Sequence, residues 1–421
     1  MQIQIPYGKG KIDIHLDNRL ANWDIFKPAF KKCLDEPEKI FNSAIQSPIA
    51  SPPLKDIISS NDKVVLVTSD GTRPVPNKFL IPLILKELNL PDDKITILLG
   101  NGTHRANSVK ELTLMFGSDI IKRIKILNHD CNNKQNCVLV GRSKSNGDIY
   151  LNRVYVEADK RIILGFIEPH FFAGFSGGPK GIIPAIAGLQ TILHVHRSEL
   201  ISDPRSTWGE LVENPIQKEI REMVKICPPD FLINVTLDCD KNITGFFCGN
   251  YLEAHYQGCR VVRDLCTLKF RKKYPLVITS NGGYPLDQNL YQTVKSMSAA
   301  ACMVEKGGTI ICISECQDGI PSNGYFAKII GNSSIEKIID HINKEKNMID
   351  SWQVQIFCQI LEKANLALFS SMEPHLVRKC HIEPIVNLNS YIINFIKSRG
   401  VLTDVAVLPD GTQSIPSFTM Q

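Results

Sequence analysis

The sequence lacks the patterns typical of membrane, secreted and nucleic-acid-binding proteins. No apolar run reaches the roughly 18 residues that a membrane-spanning helix needs. The first residues, Met-Gln-Ile-Gln-Ile-Pro, alternate as an edge strand would, without the basic and then apolar pattern of a signal segment. The formal net charge is +5, with no Lys/Arg cluster long enough to suggest a nucleic-acid or membrane tail. The densest basic patch, Phe270-Arg-Lys-Lys-Tyr274, is interpreted as a solvated connection between domains.

Cysteine pairs are also missing. The 13 cysteines are scattered singly, with no CxxC spacing and no disulfide framework. In a chain of 421 residues without a secretory pattern, this predicts reduced thiols and a cytoplasmic location. A hydrophobic content of 43% is ordinary for a globular protein, and the length favours two or three domains.

The common nucleotide-binding loops are absent as well. No GxGxxG follows a strand, and the residues before Lys180 do not have the spacing of a Walker loop. Buried strands do alternate with amphipathic helices, which predicts parallel sheets with right-handed crossovers. The predicted strands are 63–68, 94–99, 123–127 and 161–167, then 275–279, 308–314 and 365–369. The predicted helices are 77–90 and 108–115, then 287–305, 335–346, 354–363 and 383–398.

The break in this pattern near residues 268 to 274 predicts two α/β domains with mainly parallel sheets. Residues 1–270 form the N-terminal domain, and residues 274–404 form a C-terminal domain that closes a cleft over the active site. Residues 405–421 are interpreted as a tail that could pack back on the first domain. Residues 17–60 are expected to be polar and helical.

Polar residues follow three of the predicted strands in the first domain. Asp70 and Arg73 follow one strand, His104 follows the next, and His170 follows the strand at 161–167. Because ligands bind at the carboxyl ends of parallel strands, these residues are expected to converge. A histidine there suits acid/base chemistry, although one alone is more often a structural histidine. Two histidines on the same edge make the two interpretations about equal. Arg73 could form a structural salt bridge or bind an anion.

A glycine-rich stretch, Glu168-Pro-His-Phe-Phe-Ala-Gly-Phe-Ser-Gly-Gly-Pro-Lys180, follows the strand at 161–167. Its glycines permit close approach to the backbone, and it also carries the Ser176 hydroxyl. Lys180 could bind phosphate, act as a covalent amine, or be a solvated lysine. His194 and His196 lie on a segment that is predicted to be helical, where they do not share a face. One of them could be a metal ligand, but a two-histidine zinc site is not expected.

In the second domain, Tyr291 and Lys295 are four residues apart on the helix that follows Asn281-Gly-Gly. They therefore share a face, which is either a polar surface or one that presents a lysine to substrate. Trp352 is interpreted as a packing residue. From its residues, the sequence predicts an α/β enzyme acting on a small anion by histidine acid/base chemistry.

Taken together, the motifs resemble the nickel-dependent lactate racemase family over nearly the whole chain. They occur in the family's order and spacing, and any one of them alone would be weakly specific. The motifs are Ser69-Asp-Gly-Thr-Arg-Pro-Val-Pro, Gly102-Thr-His-Arg, the Glu168 to Lys180 stretch, His196, and Tyr291-Gln-x-x-Lys295.

This resemblance implies a nickel pincer nucleotide, derived from nicotinic acid, that is tethered to Lys180 by a thioamide. His196 would then complete the nickel coordination, and His104 and His170 would be the paired acid/base groups. Further cofactor contacts are implied for Ser176, Asp70 and Tyr291. Substrate contacts are implied for Arg73, Gln292, Lys295 and Trp352.

The resemblance also implies the reaction, inversion at C2 of lactate or a related 2-hydroxyacid through hydride transfer to and from the cofactor. The expected partners are the small substrate and cofactor maturation proteins, with no nucleic acid and no membrane. Two alternatives remain open: a 2-hydroxyacid oxidoreductase that releases the ketoacid, and a nickel or cofactor storage protein.

Overall fold

The computed structural model describes residues 2–321, 326–330, 334–344, 348–400 and 402–419. Strands and helices alternate through most of these ranges. The strands are β1 (Gln2–Tyr7), β2 (Gly10–His15), β3 (Ala21–Ile25), β4 (Val64–Ser69), β5 (Ile95–Gly100), β6 (Lys125–Asn128), β7 (Cys137–Arg142), β8 (Asp148–Asn152), β9 (Lys160–Phe166), β10 (Pro169–His170), β11 (Gly174–Phe175), β12 (Phe231–Leu237), β13 (Ile243–Gly249), β14 (Thr267–Phe270), β15 (Tyr274–Ser280), β16 (Val304–Ile313), β17 (Asn365–Phe369), β18 (Glu383–Ile385), β19 (Thr403–Leu408) and β20 (Ile415–Phe418).

The helices lie between these strands, and three short 3-10 turns occur at Asp92–Lys94, Gly178–Gly181 and Gly411–Gln413. None of the described helices has the length and apolar character needed to cross a membrane. The α-helices are α1 (Pro37–Gln46), α2 (Leu54–Ile57), α3 (Asn77–Leu88), α4 (Val109–Phe116), α5 (Ser118–Arg123), α6 (Arg153–Val156), α7 (Leu189–Val195), α8 (Ser198–Ser202), α9 (Pro215–Val224), α10 (Glu253–Cys266), α11 (Leu290–Met303), α12 (Phe326–Ile330), α13 (Ile335–Lys344), α14 (Ser351–Lys363), α15 (Pro374–Lys379) and α16 (Leu388–Ser398).

The first sheet has six strands in the order β13-β12-β9-β4-β5-β6. All neighbours are parallel except β12 and β13, which are antiparallel. Its central strands are buried along almost their whole length because helices cover both faces. Helices α1, α3, α4 and α5 pack on one face in one hydrophobic cluster. Helices α7, α9 and α10 pack on the other face in a second cluster.

The second sheet also has six strands, in the order β18-β17-β16-β15-β19-β3, and all its pairs are parallel. Helices α11 and α14 cover one face. The other face packs against α16 and the β1–β2 hairpin. The two sheets confirm the predicted α/β class with mainly parallel strands, and the cavity described below lies between the two domains.

Both ends of the chain contribute to the second sheet. Strand β3 pairs with β19, although residues 17–60 were expected to be helical. This expectation was wrong at β3 because a five-residue edge strand has too little periodicity to be recognised before its partner is known. Strand β20 pairs with β14, at the end of the first domain's last helix. The partition into 1–270, 274–404 and a tail of 405–421 remains a prediction.

Most predicted elements lie within a few residues of the observed ones. The helix predicted at 383–398 is an exception, since its first residues form β18 and the helix begins only at Leu388. Pro384 interrupts a helical start there, and the Asn387 side chain caps α16 by accepting from the Ser390 N–H. The helix predicted at 335–346 is observed to Lys344, and its last residues lie outside the described ranges.

Candidate active site

The site is built at the carboxyl ends of three adjacent strands of the first sheet. Strand β4 lies between β9 and β5. The chain continues from β4 to β5 and β6 on one side of it, and the later strands β9 and β12 lie on its other side. Such a switch point opens a crevice, which is the usual ligand site of a doubly wound sheet. Asp70 and Arg73 follow β4, His104 follows β5, and His170 follows β9, as the sequence predicted.

His104 is held by Asp70. Its Nδ1 lies 2.7 Å from Oδ2 of the buried Asp70 carboxylate, which fixes Nδ1 as the donor and leaves Nε2 to accept a proton. The other Asp70 oxygen accepts from the backbone N–H and the hydroxyl of Thr72, at 3.1 and 2.6 Å. Burial alone would raise the pKa of Asp70, but His104, Thr72 and Arg73 together lower it below its ordinary value.

His170 is in a different environment. It is buried, and its ring packs against those of Phe171 and Phe172, with centroids 4.9 and 4.5 Å away. The Ala173 N–H donates to its Nδ1 at 3.2 Å, so the neutral ring carries its proton on Nε2. Burial, followed by the charges of Lys180 and other cations, lowers the pKa of His170 well below its usual value. Nε2 is therefore a hydrogen-bond acceptor in His104 and a hydrogen-bond donor in His170.

Arg73 forms an ion pair with Glu168, whose side chain is only 5% exposed, with Nε 3.1 Å from Oε1. Its Nη1 donates to the carbonyl and hydroxyl oxygens of Thr72. These contacts fix the guanidinium beside the cavity and leave Nη2 without a hydrogen bond to any described residue. The salt-bridge interpretation of Arg73 is therefore confirmed. Binding of an anion stays a prediction, for which Nη2 would supply the hydrogen-bond donors.

Lys180 lies in the 3-10 turn at the end of the glycine-rich stretch. Its Nζ is 5.7 Å from the centre of the Phe172 ring and makes no hydrogen bond or ion pair with the described residues. Burial of the amine, followed by repulsion from Arg73, lowers the pKa of Lys180 to about 7. A substantial fraction of this amine is therefore neutral and nucleophilic near neutral pH.

His196 caps the end of α7 and is buried. Its Nδ1 donates to the Ile192 carbonyl at 2.8 Å, which fixes the tautomer and leaves the Nε2 lone pair available as a ligand. Burial lowers the pKa of His196 to about 4, so the ring is neutral. His194, two residues earlier, is not part of the cavity: its Nε2 contacts Ser145 and Glu219 at 2.7 and 3.2 Å.

The second domain contributes the first turns of two helices. Tyr291, Gln292 and Lys295 lie on α11, and Lys295 Nζ donates to Gln292 Oε1 at 2.5 Å. Trp352 lies at the start of α14; its Nε1 donates to the Tyr291 hydroxyl at 2.9 Å, and its ring is 4.5 Å from that of His196. Trp352 therefore links the two domains across the site, in addition to the predicted packing role.

All the predicted site residues line one cavity of about 170 Å³. Lys295, like Lys180, has its pKa lowered by burial and then by Arg73, so an anion entering the cavity would raise both pKa values again. The cavity therefore suits a small anion. The predicted residues that line it are Asp70, Arg73, His104, His170, Ser176, Lys180, His196, Tyr291, Gln292, Lys295 and Trp352.

Three residues that shape the site were not predicted from the sequence. Glu168 was quoted as the start of the glycine-rich stretch but not as the partner of Arg73. Thr72 and Asn234 were not singled out, although both line the cavity. Asn234 had a usable signal, because an amide in the middle of the apolar strand β12 needs a buried hydrogen-bond partner.

Comparison with known proteins assigns the chain to a family. Residues 7–209 match the lactate racemase N-terminal domain, and residues 271–415 match the lactate racemase C-terminal domain. The chain is 34% identical over 420 residues to the lactate racemase of Thermoanaerobacterium thermosaccharolyticum, covering 98% of each chain. It is 35% identical over 417 residues to that of Lactiplantibacillus plantarum, covering 97% of this chain and 98% of the relative. The chain belongs to the lactate racemase family.

The fold agrees with this assignment. The solved structure of the lactate racemase apoprotein from T. thermosaccharolyticum matches with a TM-score of 0.89 and 34% identity, covering 99% of this chain and all of that one. A protein from Thermotoga maritima shares the fold, with a TM-score of 0.70 at 17% identity, covering 91% of this chain and 98% of that one. The predicted membership of the lactate racemase family, and with it the prediction of an isomerase, is confirmed.

Proposed function

We propose that this member of the lactate racemase family racemises lactate or a closely related 2-hydroxyacid. The observation that carries the proposal is the pair of histidines in one cavity with the basic side chains of Arg73 and Lys295. His104 and His170 would handle the hydroxyl proton of the two enantiomers. Arg73 and Lys295 would hold the carboxylate, and Gln292 would orient Lys295.

We also propose that the protein carries the nickel pincer nucleotide on Lys180. The free amine of Lys180 fits a covalent attachment, and the fixed tautomer of His196 fits a single protein ligand to nickel. No group of three or more His, Cys, Asp or Glu side chains suited to a metal occurs in the described ranges, so the remaining ligands would come from the cofactor. Ser176, Asp70 and Tyr291 would lie beside it. When bound, the cofactor would supply the hydride acceptor for C2.

The protein's own part in the reaction is to orient the substrate and to move its proton. Nε2 of His104 would accept the hydroxyl proton from one enantiomer, with Asp70 stabilising the resulting imidazolium. Nε2 of His170 would first donate a hydrogen bond to the substrate oxygen. To act as a base for the other enantiomer, its ring would have to give up the Ala173 hydrogen bond. Trp352, Phe171 and the buried walls would limit access of water.

The attachment is tested by the intact mass of the denatured chain, expressed with and without cofactor maturation proteins. We expect added mass only with those proteins, and none in Lys180→Ala. Lys241→Ala is the matched control, because this lysine of the same domain donates to the Gly282 carbonyl and lies outside the cavity. Loading that is unaffected in Lys180→Ala would refute the attachment.

The reaction is tested by incubating the loaded enzyme with each pure enantiomer of lactate, followed by chiral separation. We expect His104→Gln and His170→Gln to lose racemisation while keeping nickel, and His129→Gln, a buried histidine outside the cavity, to keep both. Stoichiometric release of the ketoacid would instead favour an oxidoreductase. Bound nickel without any exchange at C2 across a panel of 2-hydroxyacids would favour a storage protein.

A further inference from the structure

Two buried polar side chains lie beneath the turn that presents Lys180. The first is Asn234, in the middle of β12, where all seven residues are buried. A carboxamide in such a strand is costly unless it is hydrogen bonded. Its Oδ1 accepts from the Gly178 N–H at 2.9 Å, which explains why an amide occupies an otherwise mostly apolar strand.

The second is His255, on the buried face of α10 together with Ala254, Cys259 and Val262. It is only 2% exposed, and its Nε2 donates to the Ser176 carbonyl at 2.9 Å. Nothing in the proposed reaction uses this histidine. Its one polar contact with the glycine-rich stretch is with the backbone, so it acts there by holding the backbone in position.

These two hydrogen bonds hold the two peptide groups that flank Gly177, in a turn that only glycine can form easily. Gly177 and Gly178 have φ values of +78° and +56°. A Cβ on Gly178 would lie 2.3 Å from Cγ of His255, and one on Gly177 would lie 2.8 Å from Oδ1 of Asn234. The two side chains therefore fill the space that the missing Cβ atoms leave, and Lys180 follows two residues later.

We propose that Asn234 and His255 are positioning residues, which together fix the Gly177–Gly178 turn so that the Lys180 amine points into the cavity for covalent attachment. The inference depends on the proposed role of Lys180 as the attachment point. The two residues come from different elements and bind the two peptide groups that flank Gly177. Loss of either one frees the backbone that directs the lysine.

The test measures the nucleophilicity of Lys180 in the chain without cofactor. The protein is treated with limiting acetic anhydride at one mildly alkaline pH, and acetylation of Lys180 is quantified by peptide mass spectrometry relative to surface lysines. We expect the ratio to fall about tenfold in Asn234→Ala and in His255→Leu. In each variant a buried backbone group of the turn loses its hydrogen-bond partner, so the turn no longer holds the Lys180 amine in the cavity. His255→Gln retains a donor near the Nε2 position and should stay within about threefold of the wild type.

Asn152 and His129 provide a matched control pair. They are also a buried Asn and a buried His of the first domain, they bond to each other, and His129 binds the Ala187 carbonyl at 2.9 Å. Neither lines the cavity. Asn152→Ala and His129→Leu should leave the Lys180 ratio unchanged, even if they lower thermal stability.

Three outcomes would overturn the proposal: a ratio in Asn234→Ala or His255→Leu that is unchanged or higher, an equal fall in the control pair, or a His255→Gln chain as defective as His255→Leu. The comparison is independent of the proposed function. A wild-type chain whose Lys180 is acetylated but never gains cofactor mass would refute the attachment and leave the positioning result intact.

Discussion

Asp70→Asn is the substitution that most directly tests the orientation of His104. One Asp70 oxygen accepts from both donors of Thr72, at 3.1 and 2.6 Å, so the amide oxygen of an asparagine would stay on that side. The amide NH₂ would then face Nδ1 of His104, where the carboxylate now lies 2.7 Å away. An NH₂ group donates to Nδ1 and so moves the ring proton to Nε2. His104 would no longer accept a proton from the substrate.

The size of the effect follows from this loss of a base. General base catalysis contributes about 10² to 10⁴-fold in rate. The equivalent change of tautomer in a serine protease triad lowers kcat by about 10⁴-fold. We therefore expect kcat to fall by about 10² to 10⁴-fold in Asp70→Asn, which corresponds to about 3 to 5 kcal/mol of transition-state stabilisation.

The assay is racemisation of each pure lactate enantiomer by loaded enzyme, with chiral separation of the products. Because the two enantiomers have equal free energies, kcat/KM must fall by the same factor in both directions. Asp230→Asn is the control, since Asp230 accepts from the Arg161 N–H in the same domain without lining the cavity. An Asp70→Asn enzyme that keeps its cofactor mass and more than about a third of the wild-type kcat would refute this role of Asp70.

Three further results are expected. Arg73→Ala should lower the free energy of unfolding by about 3 to 5 kcal/mol in urea denaturation, because it leaves buried Glu168 unpaired; a loss below about 1 kcal/mol would contradict a buried pair. Trp352→Phe should lower the free energy of unfolding by about 1 kcal/mol, because its hydrogen bond to Tyr291 is lost, while the nickel content of the protein stays the same. A large loss of nickel would contradict a role limited to packing and this hydrogen bond. Acetylation of Lys180 in the cofactor-free chain should rise with pH and level off above about pH 7, because burial lowers the pKa of this amine to about 7 and the neutral form reacts; a rise that continues to about pH 10, as for an exposed lysine, would argue against this environment.

The sequence by itself determined the class of fold and the set of candidate residues. Strand and helix periodicities are local, so alternating buried strands such as β4 and β5 and their helices could be predicted from composition and spacing. The ends of parallel strands share one edge, which is why Asp70, His104 and His170 could be expected to meet. The family motifs then supplied roles that spacing alone left open.

Only the tertiary structure decided how those residues are held. The pairing of β3 with β19 joins residues almost 400 positions apart, and no local pattern encodes such a partner. The Arg73–Glu168 pair and the hydrogen bonds of Asn234 and His255 likewise connect separate elements. Hydrogen bonds act over about 3 Å, so the tautomers of the site histidines and the direction of the Lys180 amine depend on contacts that exist only once the chain is folded.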